Sequence, residues 1–335
     1  MHSSIARRTF RFSGLILLAA AACGQGNSGA SPEASPSPEP SVAAPSSASP
    51  SAAADAGMRT VTDAYGETTI PADPQRIVVL TSGALDNLLA LGVKPVGAPY
   101  SISVNANFFS YLADRTDGVE NTGTVDQPNL ETVAKLKPDL IIGQKSDHDA
   151  VYADLKRIAP VYMVDMISDK WKDSVLGNAD AVNKRAEGER LIAEYEAKIA
   201  KFKEDAGDKL STLTVSLIRP RADHVRIYTD GSFSGAVAKE AGVTRPANQA
   251  GVAEHNVAIT EEQIAEMDAD LILSFGRETE AEYFENKIKK SPLWATLKAV
   301  QNNQVHMLDW EVWLSGQGIQ AANLMVDDLI RIFGV

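Results

Sequence analysis

The chain has 335 residues, of which 44% are hydrophobic and 23% are charged, and its formal net charge is -12 at neutral pH. This length is sufficient for two lobes, and the negative charge argues against binding to nucleic acid or to an anionic membrane surface. The single cysteine of the sequence excludes an internal disulfide.

Residues 1–22 have the pattern of a signal peptide. Arg7, Arg8 and Arg11 precede a short apolar run that ends at Cys23 and is too short to span a bilayer. A cysteine in this position resembles a bacterial lipobox, in which the cysteine is lipidated and becomes the mature N-terminus. The alternative is a cleaved, freely secreted protein with one free thiol. We predict lipidation at Cys23, which would hold an extracytoplasmic protein at the outer face of the cytoplasmic membrane.

Residues 23–57 are rich in serine, alanine and proline and almost free of large apolar side chains. Such a segment cannot bury enough surface to fold, so we predict a disordered tether behind the lipid. Removal of the signal peptide, which carries three arginines and no acidic residue, changes the net charge from -12 to -15. The protein that remains is strongly acidic.

The rest of the chain contains an internal repeat. Residues 129–143 (NLETVAKLKPDLIIG) align with residues 260–274 (TEEQIAEMDADLILS) at a constant offset of 131. Each copy predicts a short capped helix that runs into a buried strand. We infer two similarly built α/β lobes, at residues 58–182 and 209–335, with mostly parallel sheets.

Short apolar runs mark the strands that we predict for both lobes. They are residues 76–80, 95–99, 139–143 and 161–165 in the first lobe, and 213–218, 270–275 and 305–309 in the second. A small antiparallel hairpin that turns at Tyr65 and Gly66 is predicted to precede them.

Between the lobes, residues 183–208 predict one long helix. Five apolar residues recur at helical spacing, with charged residues on the other face: Leu191, Ile192, Tyr195, Ile199 and Phe202. An unbroken helix over this range would be about 39 Å long. The only glycine before its end is Gly188, so we expect a stiff connection with little movement of the lobes.

A group of basic residues stands out in the second lobe. If residues 213–219 and 225–229 form adjacent strands, Arg226 and Tyr228 share one face of the sheet and Arg219 ends the incoming strand. Two guanidinium groups beside a phenol suit an anionic, oxygen-rich ligand. The alternative is a solvated hairpin with surface ion pairs, and this is the role that we expect for Arg221 in the turn.

Loops that follow parallel strands supply further candidate ligand contacts, because α/β proteins bind ligands at the carboxyl ends of such strands. Trp310 and Trp313 follow a strand and precede a glycine-containing loop, and aromatic side chains make good walls for a binding site. The alternative is that one tryptophan packs under the last helix. Ser82 and Tyr100 are the corresponding candidates in the first lobe.

Signals for an enzyme or a metal site are missing from the sequence. No two histidines have the spacing of a metal-binding pair, and no phosphate-binding loop is present. Residues 231–235 (GSFSG) resemble a nucleophile elbow, but Phe233 occupies the place of the required serine. We therefore predict a binding protein rather than an enzyme, without a metal site of its own.

Five segments together resemble ABC-transporter substrate-binding proteins of the iron–siderophore class. They are residues 66–100, residues 129–143, the long helix, residues 225–243 and residues 318–333. The resemblance implies an α/β fold with two Rossmann-like lobes, joined by one long rigid helix, and a ligand cleft between the lobes. It also places the hairpin with Arg219, Arg226 and Tyr228 at the cleft.

The resemblance implies a function as well. Members of this class bind ferric siderophores, haem or cobalamin and deliver them to a membrane permease. We expect a ferric siderophore, with no cofactor and with iron present only as part of the bound ligand. The alternative is a haem or cobalamin receptor, in which Tyr100, Tyr228 or His224 could serve as an axial ligand of haem.

The family also gives the repeat a second meaning. One surface glutamate in each lobe docks onto arginines of the permease, and the matching positions are Glu131 and Glu262. A carboxylate in the first turn of a helix is favoured by the helix dipole in any case, so both explanations can hold together.

Overall fold

The computed structural model describes residues 57–100, 108–165 and 168–335. The described part begins with an antiparallel hairpin of β1 (Met58–Asp63) and β2 (Gly66–Pro71), whose register pairs Asp63 with Gly66. Gly66 has a φ of 109°, a conformation that favours glycine. The hairpin therefore turns where the sequence predicts it.

The first lobe is built on a five-stranded parallel sheet in the order β5-β4-β3-β6-β7. The strands are β3 (Ile77–Val79), β4 (Gly97–Ala98), β5 (Glu120–Asn121), β6 (Leu140–Gln144) and β7 (Val161–Val164). Val78 and Val79 are both buried but belong to two different hydrophobic clusters, because successive side chains point to opposite faces of a strand. Both faces of this sheet are covered, as expected for a parallel sheet.

The second lobe has a five-stranded mixed sheet in the order β10-β9-β8-β11-β12. Its strands are β8 (Val215–Pro220), β9 (Val225–Tyr228), β10 (Asn256–Ile259), β11 (Leu271–Ser274) and β12 (Val305–Met307). β8, β11 and β12 are parallel, whereas β9 runs antiparallel to β8 on one side and to β10 on the other. Leu217 and Ile218 lie in separate clusters, so this sheet is also covered on both faces.

Eleven α-helices lie in the described residues. They are α1 (Ser82–Ala90), α2 (Leu130–Lys135), α3 (Lys145–His148), α4 (Tyr152–Ile158), α5 (Trp171–Ala181), α6 (Arg185–Ala206), α7 (Lys209–Thr212), α8 (Phe233–Glu240), α9 (Ala281–Tyr283), α10 (Lys298–Gln301) and α11 (Ile319–Phe333). The same range holds short 3-10 helices at Ser110–Arg115, Asp149–Val151, Ser168–Lys170, Glu261–Met267, Glu278–Glu280 and Trp294–Thr296, and π-helical turns at Phe284–Ile288 and Glu311–Gly316.

The long helix predicted between the lobes is α6, and it is two residues shorter at each end than predicted. Its 22 residues correspond to about 33 Å. The chain takes positive φ values at Asn183, before the helix, and at Gly207, after it. A Cβ on Gly188 would lie 2.7 Å from the Cβ of Ala179 in α5. Gly188 therefore allows α5 and α6 to pack closely and does not interrupt α6.

In both lobes the internal repeat forms a short helical segment that leads into a buried strand, although the type of helix differs. In the first copy α2 leads into β6, and in the second copy the 3-10 helix Glu261–Met267 leads into β11. Asp139 accepts backbone hydrogen bonds from Gln75 and Arg76 at 2.7 and 2.9 Å. Asp270 accepts from the backbone and the hydroxyl of Thr214 at 2.8 and 2.7 Å. The aligned aspartates thus tie each repeat to the residues that precede the neighbouring strand.

The two lobes meet where α11 begins. Asp86 in α1 accepts backbone hydrogen bonds from Gln320 and Ala321 at 2.8 and 3.0 Å, and Asn87 accepts one from Ile319 at 3.0 Å. The first residues of the last helix are thus capped by side chains of the first helix. Burial raises the pKa of Asp86 to about 6, although these backbone hydrogen bonds lower it. We call this group of contacts the cross-lobe cap.

Candidate ligand-binding cleft

A cavity of about 190 Å³ lies at the carboxyl ends of β3 and β6 in the first lobe. Its walls are mostly uncharged: Thr81, Ser82, Gly83, Tyr100, Phe109, Thr124, Val125, Asp126, Gln144, Asp147, Ser315 and Gln317. Ser82 and Tyr100, the two candidates predicted in the first lobe, both line it. A Cβ on Gly83 would lie 2.8 Å from the carbonyl oxygen of Gln317, so the first turn of α1 closely approaches the loop before α11.

The basic residues of the second lobe gather at the carboxyl end of β8. β8 and β9 form the predicted hairpin, and its register places Arg219 directly opposite Arg226 and Leu217 opposite Tyr228. Residues that are directly opposite in an antiparallel pair share a face of the sheet. All four side chains therefore lie on the same face, as the spacing of Arg226 and Tyr228 predicts.

One carboxylate, Glu280, forms ion pairs with two of these arginines. Arg219 donates to it through Nε at 3.0 Å and Nη2 at 2.6 Å, and Arg221 donates through Nη1 at 2.7 Å. The side chains of Arg219 and Glu280 are only 8% and 11% exposed. Burial alone would raise the pKa of Glu280, but the bidentate bond from Arg219 and the charges of both arginines lower it. Arg221, predicted to form a surface ion pair, is instead part of a largely buried one.

The guanidinium of Arg226 has no carboxylate partner among the described residues. The group is half-buried, and its Nε donates to Nε2 of His224 at 3.3 Å. His255 lies nearby, with an exposed outer edge and its ring against Tyr228. Partial burial, followed by the charges of Arg226 and Arg219, lowers the pKa of His255. The local potential is therefore positive although the whole chain is acidic.

Tyr228 shares the predicted face but is only 2% exposed. Its ring packs edge-on against Phe275 and His255, with a centroid distance of 5.1 Å in each case. In this structure the phenol is covered by its neighbours. Its proposed role as a ligand contact therefore depends on those neighbours moving.

The two candidate tryptophans occupy different environments. Trp313 is 1% exposed, and its indole N–H donates to Asp328 in α11 at 2.8 Å. Trp313 thus packs under the last helix, and the prediction that it faces the cleft is wrong in this structure. Trp310 is half-buried, and its ring meets Phe109 of the first lobe edge-on at 6.4 Å. Of the two candidates, Trp310 is the one whose ring contacts the other lobe.

Arg277 is a candidate that the sequence analysis missed. It follows β11, and its guanidinium lies 4.7 Å from the centre of the Trp310 ring. Its Nε is buried without a hydrogen-bond partner within the described part of the chain. Burial and then the charge of Arg219 lower the pKa of Arg277. The signal that could have identified it is its place in a loop at the carboxyl end of a predicted strand.

Glu131 and Glu262 both lie in the first turn of a helical segment, one in each lobe. Glu262 is exposed, and the side chain of Glu131 is 78% exposed with an ion pair to Lys135. Both carboxylates are accessible to a partner, and docking onto a permease stays a prediction.

The remaining candidate, Cys23, lies outside the residues that the structure describes. Among those residues, no helix combines the length and the apolar character that a membrane span needs. The same residues contain no group of three or more His, Cys, Asp or Glu side chains that could hold a metal ion.

Two α/β lobes with loops converging from the carboxyl ends of their strands define a two-lobed binding protein. The sequence profile of the family described as "Periplasmic binding protein" matches residues 77–311. This match covers more than half of the chain, and the chain belongs to that family.

Individual relatives agree with this assignment. The probable siderophore-binding lipoprotein YfiY of Bacillus subtilis is 38% identical over 286 residues, which cover 82% of this chain and 87% of YfiY. The Fe(3+)-citrate-binding protein YfmC of the same organism is 32% identical, with coverage of 82% and 85%. The crystal structure of Staphylococcus aureus SirA complexed with staphyloferrin B superposes with a TM-score of 0.74 at 33% identity, over 82% of this chain and 98% of SirA.

Proposed function

We propose that this protein is an extracytoplasmic substrate-binding protein that captures a ferric siderophore and delivers it to the permease of an ABC importer. Iron enters this proposal only as cargo within the ligand, and no cofactor is required. The relatives support the substrate class, since their names describe binding of siderophores and of Fe(3+)-citrate. The family supports a role in binding and transport rather than in catalysis.

The observation that carries the proposal is the group of arginines in an otherwise acidic protein. Arg219, Arg221, Arg226 and Arg277 contribute four fixed positive charges, and Glu280 balances only one of them. Guanidinium groups present planar sets of donors that match carboxylates and similar oxygen anions. An anionic ferric chelate therefore fits the charge of this side of the cleft.

The test is a titration of the full-length protein, followed by tryptophan fluorescence and calorimetry. The ligands are ferric citrate, ferric staphyloferrin B, the same molecules without iron, haemin, cobalamin and free Fe³⁺. We expect saturable binding of at least one ferric chelate, stronger than binding of its iron-free form. Binding of haemin or cobalamin alone, or of none of these ligands, would refute the proposal.

Two of the three predicted axial ligands, Tyr228 and His224, are not arranged to bind haem. Tyr228 is covered by Phe275 and His255. Both ring nitrogens of His224 are engaged, Nδ1 with Asp223 at 2.6 Å and Nε2 with Arg226 at 3.3 Å. An axial ligand needs a free nitrogen or phenolate oxygen, and neither residue presents one.

One finer part of the proposal concerns the membrane. We propose that Cys23 carries the lipid that holds the protein at the outer face of the cytoplasmic membrane. The support is its position after the apolar run and the description of YfiY as a lipoprotein. Cys23→Ser should block lipid labelling and release the protein from the membrane fraction. Unchanged labelling and partitioning would contradict the anchor.

A further inference from the structure

Among the described residues, His148 is the histidine that is fully buried, and it lies at the end of α3. Its Nδ1 lies 3.0 Å from the backbone nitrogen of Gln144, and its Nε2 lies 2.9 Å from the carbonyl oxygen of Val125. A carbonyl oxygen can only accept, so Nε2 carries a hydrogen and donates it to Val125. In the neutral ring Nδ1 accepts from the N–H of Gln144. A ring protonated on both nitrogens would instead donate to the carbonyl oxygen of Gln144 at 3.1 Å, and the bond to Val125 would remain.

The two partners of His148 belong to different walls of the first-lobe cavity. Val125 lies in the turn after β5, Gln144 is the last residue of β6, and both line the cavity. In the sheet, β4 and β3 lie between β5 and β6. Three strand spacings, or about 14 Å, separate β5 from β6, so the hydrogen bonds of the sheet do not join the two walls directly. The ring of His148 makes a connection that the sheet does not provide.

The turn that carries Val125 is closed by its own hydrogen bonds. Thr124 and Gln127 exchange two backbone hydrogen bonds, each of 3.3 Å. These bonds fix the shape of the turn but not its distance from β6. Thr124 and Asp126, on either side of Val125, also line the cavity. A shift of Val125 would therefore move one wall of the cavity as a unit.

We propose that His148 is a positioning residue: through its hydrogen bond to Val125 it sets the width of the first-lobe cavity and thereby the affinity for the chelate. His148 itself is not among the residues that line the cavity, so it acts through Val125 and not by contact with the ligand. The cavity has a volume of about 190 Å³, and a small change in its width alters the size of the group that it admits. This inference rests on the proposed function and names a residue that shapes the site.

Three variants separate the bond to Val125 from the packing of the ring. The amide of a glutamine reaches about as far as Nε2 of histidine, so His148→Gln can still donate to Val125. The amide of an asparagine reaches about as far as Nδ1, so His148→Asn can bond to Gln144 but not to Val125. His148→Phe keeps an aromatic ring and loses both bonds. The control is His306→Asn in β12, where the histidine bonds to the side chain of Gln304 at 3.0 Å.

The experiment is a calorimetric titration of the full-length protein and its variants with ferric citrate and with ferric staphyloferrin B. Thermal unfolding of each variant measures its stability and checks that it is folded. We expect His148→Asn and His148→Phe to weaken binding about fivefold or more, which is the effect of losing one hydrogen bond between neutral groups. His148→Gln should bind within about twofold of the unchanged protein. His306→Asn should leave the affinity unchanged.

An affinity of His148→Asn within about twofold of the unchanged protein for both chelates would overturn the inference and leave the proposed function standing. Equal losses of affinity in His148→Asn and His148→Gln would also overturn it, because they would show that the packing of the ring, and not the bond to Val125, matters. If His148→Phe does not fold, the comparison of asparagine with glutamine decides. If one chelate binds, the same criteria apply to that chelate. If the unchanged protein binds neither chelate, the proposed function is refuted and the inference with it.

Discussion

The two lobes share a strand order but differ in the direction of one strand. β8, β11 and β12 occupy the places of β3, β6 and β7, and β9 and β10 occupy those of β4 and β5. In the first lobe β4 is parallel to β3, whereas in the second lobe β9 is antiparallel to β8. In the first lobe a crossover through α1 connects β3 to β4, whereas in the second lobe a tight turn at residues 221–224 connects β8 to β9.

This reversal changes which residues reach the cleft. A tight turn places the start of β9 beside the end of β8, so that Arg226 lies opposite Arg219. The first lobe instead presents hydroxyl and amide groups such as Ser82 and Gln144. The shared plan thus provides the scaffold, and the reversed strand brings fixed charge to one side only.

The largest effect on stability is expected from the buried ion pair of the second lobe. Glu280→Ala would leave Arg219 buried without its counter-charge and beside other arginines, which should destabilise the protein by about 3 kcal/mol. Urea unfolding followed by circular dichroism measures the loss. Glu131→Ala, which removes an exposed ion pair in the first lobe, is the matched control and should scarcely move the midpoint. Equal shifts of the unfolding midpoint for the two variants would contradict the distinction between the buried and the exposed ion pair.

Asp86, in the cross-lobe cap, should make the free energy of unfolding depend on pH. The direction should be opposite to that caused by Asp270. Asp86 has a raised pKa of about 6 against an ordinary value of 3.8, so the folded state retains a proton that the unfolded state has released. Its contribution is fully present below pH 3.8 and is lost as the pH rises through 6, with a total of about 3 kcal/mol. Asp86→Asn should remove this component from urea unfolding curves measured between pH 4 and 7.

Asp270 supplies the contrast. Burial would raise its pKa, but the hydrogen bonds from Thr214 lower it overall. Its contribution is therefore present above the ordinary pKa and is lost as the pH falls below it. The pH profile of Asp270→Asn should differ from that of the unchanged protein only at acid pH. If Asp86→Asn and Asp270→Asn change stability over the same pH range and in the same direction, the predicted contrast is wrong.

The next largest effect is expected on the affinity for the ligand. Arg226→Ala should weaken an anionic ferric chelate by about 1.5–3 kcal/mol, roughly tenfold to a hundredfold, because a charge-assisted contact is lost. Arg221→Ala should change affinity far less, since Arg221 is occupied by Glu280. Calorimetric titration measures both. The claim would fail if the two arginines proved equally dispensable for anionic and neutral chelates.

The smallest effect on the isolated protein is expected at the exposed glutamates. Replacing Glu131 and Glu262 together with Gln should leave ligand affinity and stability unchanged, because both side chains are exposed. Uptake of the iron chelate by cells should nevertheless fall. Equal losses of binding and of uptake would show that the residues do not serve docking alone.

Much of the fold follows from local patterns in the sequence. The apolar runs around Val78, Ile141 and Ile272 are buried on both faces of their sheets, which makes them recognisable as strands. The repeat predicted equivalent elements because both copies carry the same local pattern, a short helical segment followed by an apolar strand. Where local sequence and final structure agree in this way, prediction succeeds.

Other features depend on partners far away in the chain. β5 has two residues and β10 is half-exposed, so neither forms a buried apolar run, and both are held by pairing with a neighbouring strand. The pairing of Arg219 with Glu280 spans 61 residues. Trp313 and Trp310 occupy different environments because Asp328 in α11 accepts a hydrogen bond from the indole N–H of Trp313 and not from that of Trp310. Sequence spacing alone carries no information about such contacts.

The cross-lobe cap also has a consequence for how the chain folds. The hydrogen bonds from Ile319, Gln320 and Ala321 to Asp86 and Asn87 join residues that are 232 to 235 positions apart. Contacts of such large sequence separation form late, because the intervening chain must first be brought together. We therefore expect the last helix to complete its first turn only when the first helix is already in place. Unfolding of the first lobe would remove the cap of α11, and unfolding of the second would leave Asp86 and Asn87 without their donors, so the two lobes should melt in a single transition.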